Sequence, residues 1–162
     1  MKRTPISNRE IRNMTMMYLD KRVLSRIRLS FWTLFLEFGE LDAEKHRWEV
    51  SIMIDPSWKF QKQYAIQETS DRDRQELEKS LKQYVWKRLL YCVIDDYLHE
   101  IHLDFWDVYF ATLSTTPGWS GLCRTIFFNG NWDESGDALP SCIIETDNEW
   151  IYISKRTKKG TA

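Results

Sequence analysis

The chain has 162 residues, 43% of them apolar and 29% charged, with a net charge of −1. That fits one globular domain around one core and excludes collagen-like, low-complexity and strongly polybasic classes. Eight Trp, seven Tyr and eight Phe supply ample area for burial, and any that stay outside mark an interface.

Cysteine count and spacing speak to compartment. Cys92, Cys123 and Cys142 are odd in number and form no CxxC, so reduced thiols are expected and not a disulfide framework or a zinc site. The N-terminus runs from Met1 into polar residues and shows no secretory signal. The longest apolar stretch, Leu29 to Phe38, is interrupted by Ser30, Thr33 and Glu37 and is too short to span a bilayer. A cytoplasmic protein with no membrane contact is expected.

Charge is unevenly spread. Residues 1–38 hold eight basic and three acidic residues, +5, and residues 39–94 are balanced. Residues 95–150 hold eleven acids and only Arg124, −10, and the tail 151–162 carries +4. An acidic half of this kind repels nucleic acid and attracts basic partners.

In chain order, residues 1–6 read as a loose start. Ser7 and Glu10 have the S-x-x-E spacing of a capping box, which predicts a helix from Asn8 to about Ile27. Residues 28–38 fit either its continuation or a strand with Leu29, Phe31, Thr33 and Phe35 on one face, ended by Gly39. Trp48, Val50, Ile52 and Ile54 alternate with Glu49, Ser51 and Met53, a period-2 strand stopped by Asp55-Pro56. Residues 56–69 read as loop.

Ser70 and Asp73 suit a helix N-cap, and a long central helix is predicted over 71–101, with Leu77, Leu81, Val85 and Cys92 on one face. Trp106 to Ala111 alternates as a strand, Pro117-Gly118 marks a turn, and Arg124 to Phe128 is a short strand. Residues 129–140 read as loop. Cys142–Glu145 and Trp150–Ile153 flank Thr146-Asp147-Asn148 as a β-hairpin. The tail from Lys155 reads as frayed. This order predicts one α+β domain over 1–162: an antiparallel sheet with an N-terminal helix and a long central helix packed on one face.

Three constellations could carry chemistry. On a helix, Asp95, His99 and His102 would share a side at i, i+4 and i+7, with Cys92 one turn earlier, a donor set for a transition metal. A helix end that happens to carry Asp and His is the more common explanation, so neither metal nor cofactor is assigned. Asp95, Asp96, Asp104 and Asp107 could hold magnesium but read better as a solvated acidic face. Trp132, Asp133, Glu134 and Asp137 share one Gly-containing loop, with Trp119 in the loop before it; acids beside Trp suit a basic protein surface. No GxSxG, GxGxxG or GxxxxGK occurs. Arg12, Lys21, Arg22, Arg26 and Arg28 could touch nucleic acid, but the neutral total and the acidic second half speak against it.

The second half of the chain also resembles small bacterial proteins of immunity type, the standalone partners of toxin systems. The resemblance lies in Lys87-Arg88-Leu89-Leu90, Ile94-Asp95, Trp106-Asp107-Val108-Tyr109, Pro117-Gly118-Trp119, Ile126-Phe127-Phe128, Leu139-Pro140 and Glu149-Trp150-Ile151-Tyr152. It implies an interaction role and assigns no residue a function. The expected function is a protein-binding domain without catalysis that contacts a basic partner, such as a toxin nuclease, through Trp119, Trp132, Asp133, Glu134 and Asp137. The alternative is a metal-dependent enzyme built on Asp95, His99 and His102.

Overall fold

The structure, a computed structural model, describes residues 2–20, 22–44, 47–55, 57–62, 65–95, 100–112, 124–128, 142–146 and 149–154. Strands β1 (Lys2–Ile6), β2 (Leu24–Ser30), β3 (Thr33–Asp42), β4 (Arg47–Ile54), β10 (Arg124–Phe128), β11 (Cys142–Thr146) and β12 (Glu149–Ser154) form one antiparallel sheet, ordered β1-β12-β11-β10-β4-β3-β2. A second antiparallel sheet holds β5 (Trp58–Lys62), β6 (Ala65–Thr69), β7 (Tyr91–Ile94), β8 (Ile101–Asp104) and β9 (Tyr109–Thr112), ordered β6-β5-β9-β8-β7. Helix α1 is Asn8–Leu19, and the short helix α2, Arg74–Ser80, runs into a 3₁₀ turn at Leu81–Tyr84.

Period-2 alternation builds the core. Leu34, Leu36 and Phe38 of β3 and Val50, Ile52 and Ile54 of β4 are buried, as are Phe60, Leu103 and Phe110 of the second sheet. All belong to one apolar cluster, with Phe38 stacked on Phe105 across the two sheets at 6.3 Å. Helix α1 adds Ile11, Tyr18 and Leu19 to the core. It lies against β7, where the Cys92 amide donates to the Met16 sulfur at 3.1 Å.

Several expectations hold. The capping box closes in both directions: the Glu10 amide donates to Ser7 Oγ at 3.2 Å and the Ser7 amide to Glu10 Oε2 at 2.8 Å. Asp73 caps α2 by accepting from the Gln75 and Glu76 amides. The strands at 48–54 and 124–128 and the terminal hairpin are present.

Others are corrected. The long central helix over 71–101 does not form: α2 is seven residues long, and the chain then becomes strands β7 and β8. Residues 56–69 are not a loop but hold β5 and β6, whose Trp58 and Phe60 are buried. Helix α1 ends at Leu19, and β2 follows where helix was predicted as far as Ile27. Gly39 does not end β3; it sits in the strand's bulge at φ +82, where an added Cβ would lie 1.9 Å from Glu49 Oε2. The N-terminus is not loose but pairs with β12 along Lys2–Ile6.

Candidate functional site

Three tight turns carry large aromatic residues outward. Strands β2 and β3 pair to Ser30 and Thr33, leaving Phe31 and Trp32 as a two-residue loop. Such loops need positive φ and normally use Asn or Gly; here Phe31 adopts φ 54 and is 80% exposed. Between β8 and β9, the Phe105 amide donates to the Val108 carbonyl at 2.9 Å. Phe105 and Val108 are buried, while Trp106 stands 87% exposed at φ 77. After the 3₁₀ turn, Trp86 adopts φ 73, is 75% exposed, and donates its amide to the Leu24 carbonyl at 2.7 Å.

Two of these turns are tied together. Lys87 Nζ meets Asp107 Oδ2 at 2.6 Å, so the residue after Trp86 is paired with the residue after Trp106. The lysine holds the Asp107 carboxyl below its ordinary range, mainly through that hydrogen bond. The Leu90 amide donates to the Asp104 carbonyl at 2.9 Å, closing the same corner. Leu90 and Tyr91 beside it are also exposed. Bulky side chains at positive φ are strained, at about 1–3 kcal/mol each, and strain of this sort gathers at functional surfaces.

A polar array lies on the outward face of the second sheet. His102 Nε2 faces Glu100 Oε2 at 3.3 Å, and its Nδ1 meets the Tyr109 hydroxyl. Burial raises the Tyr109 hydroxyl above its usual range, reinforced by Glu100 and Asp104. The phenol therefore keeps its proton.

Asp95 and His102 of the expected metal set do not share a helix face. The set's helical spacing is lost because Asp95 follows β7 and His102 lies in β8, across a hairpin closed by the Asp95 amide to the Glu100 carbonyl at 2.9 Å. His99 lies outside the described residues. Among the described residues, no three His, Cys, Asp or Glu side chains gather as a metal site. Of the four acids proposed for magnesium, Asp104 accepts from the Trp106 amide and Asp107 is paired with Lys87, while Asp96 lies outside the described residues. Burial pushes the Cys92 thiol up to about 12, so it stays protonated and unreactive.

The expected partner contacts Trp119, Trp132, Asp133, Glu134 and Asp137 all lie outside the described residues. The single element expected through Phe31 is instead two strands joined at Phe31 and Trp32, the strand expected from Trp106 starts only at Tyr109, and Trp86, expected in the central helix, follows the 3₁₀ turn; no Gly or Pro marks these turns. The available signal was an aromatic surplus larger than one core needs.

No family model, curated protein or solved structure matches this chain.

Proposed function

We propose that this chain is a protein-binding domain, and more finely a cytoplasmic immunity-type protein that neutralises a basic toxin such as a nuclease. The observation that carries the binding reading is the set Phe31, Trp86 and Trp106, each strained at positive φ and each at least three-quarters exposed. A glycine would relieve the strain at each turn. An exposed Trp contributes little to its own fold but anchors interfaces.

The finer reading draws on charge. The −10 segment at 95–150 complements the basic surface by which a nuclease holds phosphates, and opposite charge speeds capture of a lethal target. Within that segment, Trp119, Trp132, Asp133, Glu134 and Asp137 are the proposed contacts. Asp133→Lys with Asp137→Lys is expected to slow association at low salt and to change it little at high salt.

Trp86→Gly with Trp106→Gly tests the binding reading. The double variant should unfold at higher temperature, each change adding about 1 kcal/mol by removing left-handed strain. It should also lose the partner that the wild-type chain retains in a tagged pulldown from its host. A variant that is less stable, or that keeps its partner at unchanged affinity, would show that these residues serve the fold alone.

A further inference from the structure

Strand β2 is an edge strand, and among the described residues only part of its edge is covered. Its first residues are bonded by the chain itself: the Leu24 amide donates to the Lys87 carbonyl at 2.8 Å, and the Leu89 amide to the Arg22 carbonyl at 3.0 Å. Val23 and Arg88 form an antiparallel bridge there. The covering segment then turns away into the 3₁₀ turn. Beyond it, the pairing of Ser30 with Thr33, Arg28 with Phe35 and Arg26 with Glu37 directs those backbones toward β3. Antiparallel alternation leaves the N–H and C=O of Ile27 and Leu29 facing outward. No described residue bonds them.

This open stretch is bracketed and lined. Trp86 stands where the covering segment leaves, and Phe31 and Trp32 stand at the far end. Four residues, Ile27 to Ser30, span roughly 13 Å. Beside the strand is a shallow groove lined by Leu29, Phe31, Trp32 and Leu77 together with Arg72 and Arg74. Trp58 is fully buried, and its indole N–H has no acceptor among the described residues.

The opposite face of β2 is basic. Arg26 and Arg28 approach the two oxygens of a single carboxylate, Glu37, at 3.7 and 3.8 Å. Two guanidiniums against one carboxylate leave an excess positive charge, and both arginines reach solvent. A second copy of this chain pairing antiparallel on β2, in the register centred on the open stretch, would set Arg28 directly opposite Arg28, which is unfavourable.

We infer that the open half of β2 accepts an extended segment of the protein partner as an added strand, with apolar residues packing over Leu29, Phe31 and Trp32 alternating with acidic residues facing Arg26 and Arg28. This rests on the protein-binding reading and names the local chemistry of the partner. Main-chain bonds to Ile27 and Leu29 supply the attachment, and side-chain alternation supplies the selectivity.

The test uses the full chain and capped peptides of about six residues, a usual strand length. One alternates valine with glutamate, one alternates valine with lysine, and one is the glutamate peptide N-methylated on alternate residues. Amide exchange at Ile27 and Leu29 is expected to slow about tenfold with the glutamate peptide and to be unchanged by the other two. In an Arg26→Glu, Arg28→Glu variant the lysine peptide should become the protecting one. Equal effects of both charged peptides, or no protection at Ile27 and Leu29, would overturn the inference. So would protection that rises with protein concentration in the absence of peptide, since the occupant would then be a second copy. If the captured partner leaves Ile27 and Leu29 unprotected in the complex, the edge inference falls and the protein-binding reading stands. If no partner is captured but the glutamate peptide still protects, the converse holds.

Discussion

Glu37 is 7% exposed on a strand face where, among the described residues, its Oε2 has no hydrogen-bond donor. Burial raises its carboxyl above the ordinary range, and Arg26 and Arg28 offset only part of that effect. A raised carboxyl favours the protonated fold, so this contribution to stability is fully present below the unfolded value near 4.3 and is lost as pH rises through the folded value. Glu37→Gln is therefore expected to raise the melting temperature at about pH 7 and to change it little at about pH 4. Thermal unfolding at the two pH values checks this; a loss of stability at neutral pH would mean that the arginine pairing outweighs the burial cost.

Helix α1 is twelve residues long, near the lower limit for a stable helix, so its ends and its packing decide it. The capping box secures the first turn, and Ser7→Ala should cost about 1 kcal/mol, measurable by urea denaturation. Its start was legible in Ser7 and Glu10 because capping is a contact within four residues. The helix expected over 71–101 failed for a related reason. Its first turn is real, capped by Asp73, but Tyr91, Cys92, Val93 and Ile94 form a short apolar run that helix and strand accommodate equally well. Their β-branched and aromatic character, and the partner strand β8, decide for sheet. In β5, Trp58 and Phe60 alternate with Lys59 and Gln61, a strand signal present in the chain but masked by the Pro56 just before it.

The two sheets share one core, and aromatic contacts knit it together. Phe60 stacks on Tyr84 at 4.4 Å and packs on Phe110 at 4.9 Å, while Phe38 meets Phe105 between the sheets. Phe38→Ala should destabilise the whole molecule by about 3–5 kcal/mol. Phe38→Ala with Phe105→Ala should cost less than the sum of the two single changes, because both remove the same stack. Denaturant unfolding of the two singles and the double is the check; strict additivity would show that the contact does not couple the sheets.

Features set by neighbours in the chain were readable from the sequence: the Ser7–Glu10 start of α1, the Asp73 cap, the alternation of β4 and the terminal hairpin. Each depends on contacts between nearby residues or on a repeat visible along one segment. The tertiary structure alone decided that 91–94 and 101–104 form strands and that Gly39 lies inside one. It also decided that Phe31, Trp86 and Trp106 face outward at strained turns, and that half of β2 has no neighbour among the described residues. Those outcomes depend on which distant strand lies alongside, and the same apolar residue is core or contact surface according to whether that neighbour is present.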